Sequence, residues 1–285
     1  MNRQKSFDHS KASLFLVATP IGNLDEMTVR AVNTLKEVDC IAAEDTRNTL
    51  KLLNHFDIKT KLISHHEHNW KASIPGILEM MENGQNIALV SDAGYPAISD
   101  PGYELVQAAI EAGFAVVPIS GCNACLNALV VSGIAPQPFT FYGFLDHLDK
   151  NKKKELENLK RYRETLVFYE SPYRVQKTLK LMLEILGDRH IALCREITKR
   201  HEEIIRGTIS EVLAIEDELK GEMVLVVEGC KEAFDENQEP INIVEEVQKL
   251  IDQGIHSKEA IKQVAKANNL KKNDVYDLYL QSKEE

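Results

Sequence analysis

Short apolar runs alternate with amphipathic helical patterns along the first half of the chain, and this alternation limits the fold more than any other feature. Runs of four or five apolar residues bounded by turn signals are typical of buried strands. They predict strands at residues 14–18, 40–43, 61–64, 87–90 and 115–119. Helical patterns fill the intervals between them. Five strands with intervening helices predict an α/β fold with a parallel sheet that helices cover on both faces.

Residues 133–138, GIAPQP, interrupt this pattern with two prolines and a glycine, which indicates a domain boundary. Beyond them, predicted strands at 190–195, 202–206 and 223–227 follow one another more directly, which predicts a mixed sheet in a second α/β domain. The polar segment at 235–240 is typical of a linker, and short helical patterns follow it. The predicted domains are an N-terminal domain, a second domain and a small helical C-terminal module, at residues 13–134, 135–234 and 240–285.

The charge of the chain limits its partners. A formal net charge of −10 disfavours nonspecific nucleic-acid binding through the whole surface. A local patch is still able to bind RNA, and residues 150–163 carry seven basic residues against two acidic ones. This segment, which includes Tyr162, predicts either a helix face that is simply solvated or a surface that contacts RNA phosphates.

Cysteine usage and hydropathy predict a cytoplasmic protein. The five cysteines are an odd count, and four of them lie in apolar runs, which favours buried thiols over a disulfide framework. The first residues have no apolar core of the kind that a signal peptide needs. No segment reaches the roughly 18 apolar residues of a membrane span.

Three of the predicted strands end in loops of unusual composition. These loops are TPIGNL at 19–24, SDAGYPAISDPG at 91–102 and PISG at 118–121. Because ligands of open α/β sheets bind outside the carboxyl ends of the strands, the three loops together predict one ligand cleft. In the second loop Gly94 lets a ligand approach the backbone, and Asp92 and Asp100 are able to accept hydrogen bonds from hydroxyls or amines.

The first loop lacks the G-x-G-x-x-G turn of dinucleotide-binding domains. Glu44 and Asp45 nevertheless stand where such a domain would place its ribose-binding acid. Without the glycines, NAD binding is disfavoured, and so is the commonest Rossmann-like class of methyltransferases, which uses a related turn.

Two further patterns resemble metal or redox sites without completing them. Cys122 and Cys125 have C-x-x-C spacing, but no second pair and no thioredoxin-type flanking residues accompany them, so helix packing explains them better. In the HHEH segment at 65–68, adjacent residues point in different directions, whereas zinc sites draw on helix-spaced or distant ligands. We therefore predict no metal, and keep His66 as a candidate base.

Six strings of the sequence resemble those of one family, the bacterial 16S rRNA (cytidine-2′-O)-methyltransferases within the tetrapyrrole methylase superfamily. The strings are VATPIGNLDEMTVRA at 17–31, AAEDTR at 42–47, SDAGYPAISDPG at 91–102, FYESPYR at 168–174, REITK at 195–199 and GEMVLVVEG at 221–229. The resemblance extends from residue 14 to residue 280, with the strings in the family's order. Residues 91–102 are its most specific part.

The resemblance implies a two-domain class III methyltransferase fold, a homodimer, and S-adenosylmethionine bound in the cleft between the domains. The residues that it assigns to the cofactor are Thr19, Pro20, Ile21, Gly22, Ser91, Asp92, Ala93, Gly94, Ser120 and Gly121. It also implies methyl transfer to the ribose 2′-hydroxyl of a decoding-centre cytidine in the small ribosomal subunit. Tyr95 departs from the threonine that is usual in the family, which affects individual contacts rather than the cofactor.

The identity of a general base stays open at this point. Bringing the 2′-oxygen in line with the methyl group supplies much of the rate, and a base would add to it. The candidates are Glu44, Asp45, Asp92 and His66, of which Asp45, Glu44 and His66 form the predicted catalytic set.

Two other functions are compatible with the sequence. One is methylation of a tetrapyrrole carbon, which the AAEDTR string and the C-terminal module disfavour. The other is a non-enzymatic, RNA-binding role in ribosome assembly, which would require no cofactor.

Overall fold

The computed structural model of the chain describes residues 3–6, 11–215, 219–231, 243–268 and 272–284. These residues belong to two compact units, Met1–Cys230 and Lys231–Glu285. The linker predicted at 235–240 lies outside the described residues. The domain boundaries predicted from the sequence stay predictions.

The first sheet of the larger unit is five-stranded and parallel, as the sequence predicts. Its strands are β1 Ser13–Val17, β2 Cys40–Ala43, β3 Lys61–Ser64, β4 Ile87–Val90 and β5 Ala115–Ile119, in the order β3-β2-β4-β1-β5. Because all five run in one direction, their carboxyl ends lie at a single edge of the sheet. The three predicted ligand loops begin at that edge.

Helices cover both faces of this sheet, which confirms the predicted layering. They are α1 Val29–Glu37, α2 Thr46–His55, α3 Trp70–Glu82 and α4 Tyr103–Glu111, and a fifth helix, α5 Ala124–Val131, follows β5. Leu35 of α1 and Leu53 of α2 share a core with Ile41 on one face. On the other face, Ile77 of α3 and Leu105 of α4 belong to a separate core. Each core removes a stripe of apolar helix surface from water, which is the main stabilising term.

Helix α5 packs on the second sheet and so connects the two halves of the larger unit. Its buried residues Cys125, Ala128 and Leu129 share a core with Val167 and Val224 of that sheet. Cys125 is a buried free thiol, in agreement with the packing interpretation of the C-x-x-C spacing. This contact brings the start of α5 next to the ends of the second sheet's strands.

The second sheet is mixed, as predicted. Its strands are β6 Phe139–Phe144, β7 Thr165–Glu170, β8 His190–Arg195, β9 Glu203–Thr208 and β10 Met223–Val227, in the order β6-β7-β10-β8-β9. Only the β6–β7 pairing is parallel; the three other pairings are antiparallel. Helices α6 Asp149–Leu159, α7 Val175–Leu186 and α8 Ile209–Leu213 cover the face opposite α5.

The basic helix differs from its prediction in two respects. It ends at Leu159 rather than extending to Arg163, and Lys152 is buried, with 1% of its surface exposed. The cause is helical spacing, because Lys152 lies on the same face as the buried residues Leu156 and Leu159. The basic surface of this helix is therefore smaller than its composition indicates.

The smaller unit consists, in its described part, of helices α9 Ile243–Asp252, α10 Ser257–Ala267 and α11 Lys272–Glu284. Val247, Ile261, Val264 and Val275 form its core. This agrees with the predicted helical C-terminal module. Among the described helices of the chain, none is long and apolar enough to cross a membrane.

Candidate functional site

A cavity of about 300 Å³, hereafter the main cavity, lies where the loops of the first sheet face the second sheet. Its first wall consists of Ile21, Ala93, Gly94, Tyr95, Ile98, Ser99, Asp100, Asn123 and Ala124. Its second wall consists of Phe144, Tyr169, Glu170, Ser171, Pro172, Ile197, Glu222, Met223 and Val224. A second cavity of about 240 Å³, the side cavity, is lined by Thr19, Pro20, Gly22, Leu24, Asn48, Thr49, Lys51, Leu52, Ser91 and Asp92.

The first two loops are joined by a pair of backbone hydrogen bonds. The Thr19 N–H donates to the Gly94 carbonyl at 2.9 Å, and the Gly94 N–H donates back at 3.0 Å. The Thr19 hydroxyl also donates to the Ser91 carbonyl at 3.2 Å. Gly94 has a φ of +76°, a backbone conformation that glycine adopts without steric cost. The two loops therefore form one ribbon, whose residues line both the main cavity and the side cavity.

Tyr95 connects the third loop to this ribbon. Its hydroxyl accepts a hydrogen bond from the Gly121 N–H at 3.1 Å. Tyr95 thus has a structural role at the site. The carbonyl of Ser120 accepts a hydrogen bond from the Thr28 hydroxyl at 3.2 Å. The same hydroxyl caps α1. Neither Ser120 nor Gly121 lines either cavity.

The predicted cofactor residues divide between the two cavities. Ile21, Ala93 and Gly94 line the main cavity. Thr19, Pro20, Gly22, Ser91 and Asp92 line the side cavity. The whole second wall was missing from the predicted site residues, although the strings FYESPYR and GEMVLVVEG contain Tyr169, Glu170 and Met223 to Val224. These two strings were the sequence signal that could have identified the second wall.

Glu44 and Asp100 form an acidic pair near the ribbon. Burial raises the pKa of Glu44, and the charge of Asp100 raises it further. Burial likewise raises the pKa of Asp100, an effect that a hydrogen bond from Ser91 partly offsets. Among the described residues, neither carboxylate forms a salt bridge with a lysine, arginine or histidine. The backbone N–H of Asp92 donates to Glu44 Oε2 at 3.5 Å, which places Glu44 beside the ribbon.

Asp45 has a very different environment from its neighbour. Its Oδ1 accepts from the backbone N–H of Arg47 at 2.8 Å and so caps α2. The Arg47 guanidinium adds contacts of 3.0 Å and 2.7 Å. These hydrogen bonds lower the pKa of Asp45 to about 2. A carboxylate with so low a pKa is a weak base, so this geometry favours a capping role.

His66 lines neither cavity. Its Nδ1 accepts a hydrogen bond from the His68 backbone N–H at 3.2 Å. The backbone N–H of His66 donates to the Asn69 side-chain oxygen at 2.8 Å. His65 is buried and bonded to Ser73 at 2.8 Å, and burial lowers its pKa. In the part of the chain that the structure describes, no group of three histidine, cysteine or acidic residues is arranged to hold a metal ion.

The second wall is largely aromatic and apolar. Tyr169 makes edge contacts with Phe141 and Phe144, at ring-centroid distances of 4.9 Å and 5.6 Å. Burial raises the pKa of Tyr169 to about 12, so the phenol stays neutral. Met223 and Val224 are buried beside it. Such a surface is suited to a flat, apolar ligand group such as a purine.

Lys199 joins the two walls. Its ammonium donates to Glu196 at 3.0 Å and to Glu222 at 2.9 Å, both on the second wall's side. Its aliphatic stem lies directly over Gly22 of the first loop, so that a Cβ at Gly22 would overlap it. With a φ of +151°, Gly22 is also in a conformation that other residues rarely adopt. Gly22 is therefore required for close approach of the walls.

Comparison with known proteins gives a consistent result. The family model described as tetrapyrrole (corrin/porphyrin) methylases matches residues 13–213, and a model described as Uncharacterised protein family (UPF0181) matches residues 236–274. Ribosomal RNA small subunit methyltransferase I of Bacillus subtilis is 54% identical over 98% of each chain. The protein of the same name from Halalkalibacterium halodurans is 51% identical over 99% of this chain and 100% of its own. The solved methyltransferase CobJ has a TM-score of 0.58 at 19% identity, covering 78% of this chain and 95% of that one, which supports the fold alone.

Proposed function

Because the chain belongs to the family of tetrapyrrole (corrin/porphyrin) methylases, we propose that it is an S-adenosylmethionine-dependent methyltransferase of small-subunit ribosomal RNA. The observation that carries this proposal is the 54% identity, over 98% of each chain, to a protein named for that activity. The finer proposal is 2′-O-methylation of a cytidine in the decoding centre of 16S rRNA. A ribosomal substrate is consistent with a cytoplasmic protein.

The main cavity is the proposed cofactor site, and the residues there fit the group. S-adenosylmethionine carries positive charge on its sulfonium and amino groups, which the carboxylate of Asp100 would complement. The aromatic and apolar second wall suits the adenine. Ala93, Gly94 and Ala124 are small, so the ligand is able to approach the backbone. When bound, the cofactor supplies an activated methyl group.

Glu44 is the proposed general base. The ribose 2′-oxygen gains the methyl group and loses its proton, and Glu44 takes that proton. A carboxylate whose pKa is raised is a better base than one whose pKa is lowered, which favours Glu44 over Asp45. Its position next to Asp92, which lines the side cavity, makes the side cavity the proposed site of the target nucleotide.

We also propose a homodimer, which the family resemblance implies. Helix α5 supports it, because Leu126, Val130 and Val131 are exposed there, Val130 to 73%. Exposed apolar residues grouped on one helix are typical of an interface between chains. The molar mass of the protein in solution tests this proposal, and a purely monomeric mass would contradict it.

The proposed activity is tested with methyl-labelled S-adenosylmethionine and three acceptors: small ribosomal subunits, large subunits and a porphyrinogen. We expect label in RNA of the small subunit only. Label in the porphyrinogen would support the tetrapyrrole alternative. No label in any acceptor, together with no cofactor binding by calorimetry, would support a non-enzymatic assembly factor.

A further inference from the structure

Tyr173 is an aromatic residue that the fold leaves almost entirely in water. It is 96% exposed, the highest value among the exposed large hydrophobic residues of the described chain. It follows Ser171 and Pro172, which both line the main cavity. A large ring at this position buries almost no surface within its own chain. Its contribution to folding is therefore small, and its position at the edge of the cavity needs another explanation.

The turn that carries Tyr173 is rigidly held. Glu170 Oε1 accepts from the Ser171 N–H at 2.8 Å and from Arg174 Nε at 2.9 Å. The backbone N–H groups of Arg174 and Val175 both donate to the Ser171 carbonyl, at 3.1 Å and 3.0 Å. The backbone that carries the ring is thus fixed rather than flexible. A fixed backbone reduces the entropy cost of binding a ligand to the ring.

A buried polar network holds the carboxylate that organises this turn. Thr178 donates its hydroxyl proton to Glu170 Oε2 at 2.5 Å. Lys152 donates to the same Thr178 hydroxyl at 2.8 Å, and its ammonium lies 3.8 Å from Glu170 Oε2. Burying a lysine is costly unless it is paired, so this arrangement is retained against a desolvation penalty. Its visible consequence is the fixed geometry of residues 170–174.

The surroundings of the turn are basic. Lys177, in the first turn of α7, forms an ion pair of 2.7 Å with Asp149 at the start of α6. This contact brings the start of the basic helix next to the turn that bears Tyr173. Lys150 and Lys154 of that helix are exposed. A fixed aromatic ring and exposed lysines on the adjoining helix are a combination that is able to bind unpaired nucleotides, through stacking and phosphate contacts.

We propose that Tyr173 is a stacking platform for an unpaired RNA base at the edge of the main cavity, with the Lys152–Thr178–Glu170 network as its positioning support. This inference rests on the proposed function, since it assumes an RNA substrate. Single-stranded recognition by aromatic stacking is suited to a target that must leave its stack to reach the cavity. Lys150 and Lys154 contact the phosphates next to that base.

The test compares Tyr173→Ala, Tyr173→Phe and Tyr173→Leu in methylation of small ribosomal subunits. Loss of one base–aromatic stack should raise the KM for subunits between about fivefold and about 100-fold in the alanine variant. Phenylalanine retains the ring and should stay within about twofold of the wild type. Leucine retains apolar area without a π face and should behave like alanine. The kcat and the affinity for S-adenosylmethionine should not change.

Three results would overturn the proposal while the wild type is active: an unchanged KM in the alanine variant, a leucine variant that behaves like phenylalanine, or a change in oligomeric state as the main effect. An inactive wild type would instead contradict the proposed function, so the two failures are distinguishable.

The positioning support has a separate test. Thr178→Val removes the hydroxyl and should raise the KM for subunits, whereas Thr178→Ser retains it and should not. In the Tyr173→Ala background, Thr178→Val should raise the KM no further, because there is no ring left to position. Additive effects of the two substitutions would contradict the positioning role.

Discussion

Each wall of the main cavity contributes carboxylates, and Glu170 on the second wall and Asp100 on the first have opposite surroundings. On the second wall, Glu170 is buried and receives hydrogen bonds from Ser171, Arg174 and Thr178. On the first wall, Asp100 is half-buried and, among the described residues, forms no salt bridge. Burial raises its pKa.

The difference separates structural acids from reactive ones. A carboxylate whose hydrogen-bonding capacity is used within the protein fixes geometry and has little left to offer a ligand. A partly desolvated carboxylate without a paired cation is able to bind a positively charged ligand or take a proton, and perturbed acids of this kind cluster at functional sites. We therefore propose that the first wall, with the adjacent Glu44, supplies the reactive groups and that the second wall supplies a fixed surface.

The largest expected effect is at Glu44, which lies beside the ribbon next to the first wall. Glu44→Gln removes the proposed base and should lower kcat by about 10²- to 10⁴-fold. Asp45→Asn is the matched control and should have a small effect on kcat. Because the pKa of Glu44 is raised, its basic form appears only above the ordinary glutamate range, and activity should rise with pH through that region. A rate profile against pH for the wild type checks the predicted rise in activity. The kcat values of the two variants check the assignment of the base, and a larger loss of kcat in the Asp45 variant would reverse it.

The next effect is on the second wall and concerns stability. Lys152→Met breaks a buried network and should lower the free energy of unfolding by about 3 kcal/mol. The neighbouring Lys153 forms a 2.8 Å ion pair with Glu184, but both side chains are about half exposed. Lys153→Met should therefore change stability by less than about 1 kcal/mol. Urea unfolding of the two variants measures the difference, and equal values would mean that burial does not matter here.

The contact between the walls should have an intermediate effect on the cofactor. Gly22→Ala forces a Cβ into the stem of Lys199 at an unfavourable φ, and should weaken S-adenosylmethionine binding by about tenfold. Gly76→Ala in α3, where a Cβ would meet nothing within 4 Å, is the control. Calorimetric titration of both variants decides whether the approach of the walls matters. Equal affinities would mean that the contact between Lys199 and Gly22 does not affect cofactor binding.

The smallest expected effect concerns Asp45 and acid stability. Its pKa is about 2 in the folded protein against an ordinary value of 3.8. A lowered pKa stabilises the fold above the ordinary value, and this contribution is lost as the pH falls through 3.8 toward 2. Asparagine also caps helices, so Asp45→Asn should remove the pH dependence while retaining most of the cap. Acid unfolding curves that coincide for the variant and the wild type would contradict this.

The sequence predicts the first wall well because its determinants are local. The five parallel strands, the Thr28 cap and the loops at the strand ends all follow from short patterns. The position of Asp45 directly before a helix is also typical of a helix N-cap. The resemblance to a known family supplied the ligand, which local patterns do not specify.

The second wall depends on contacts between distant residues, which periodicity does not reveal. The burial of Lys152 depends on Glu170 and Thr178, which lie on other elements and supply its partners. Composition assigned this lysine to a solvated face, whereas the spacing from Leu156 and Leu159 was the better signal. The hydrogen bond from the Gly121 N–H to the Tyr95 hydroxyl likewise forms only in the folded chain, so local sequence patterns do not predict it.

The central claim is that this protein methylates the ribose of a cytidine in small-subunit RNA. Mass spectrometry of nucleosides from small subunits treated with the protein and S-adenosylmethionine tests it most directly. We expect 2′-O-methylcytidine with the wild type and much less of it with Glu44→Gln. A methyl group on a base would contradict this activity, and 2′-O-methylation that the Glu44 variant leaves unchanged would contradict the role of Glu44 as the base.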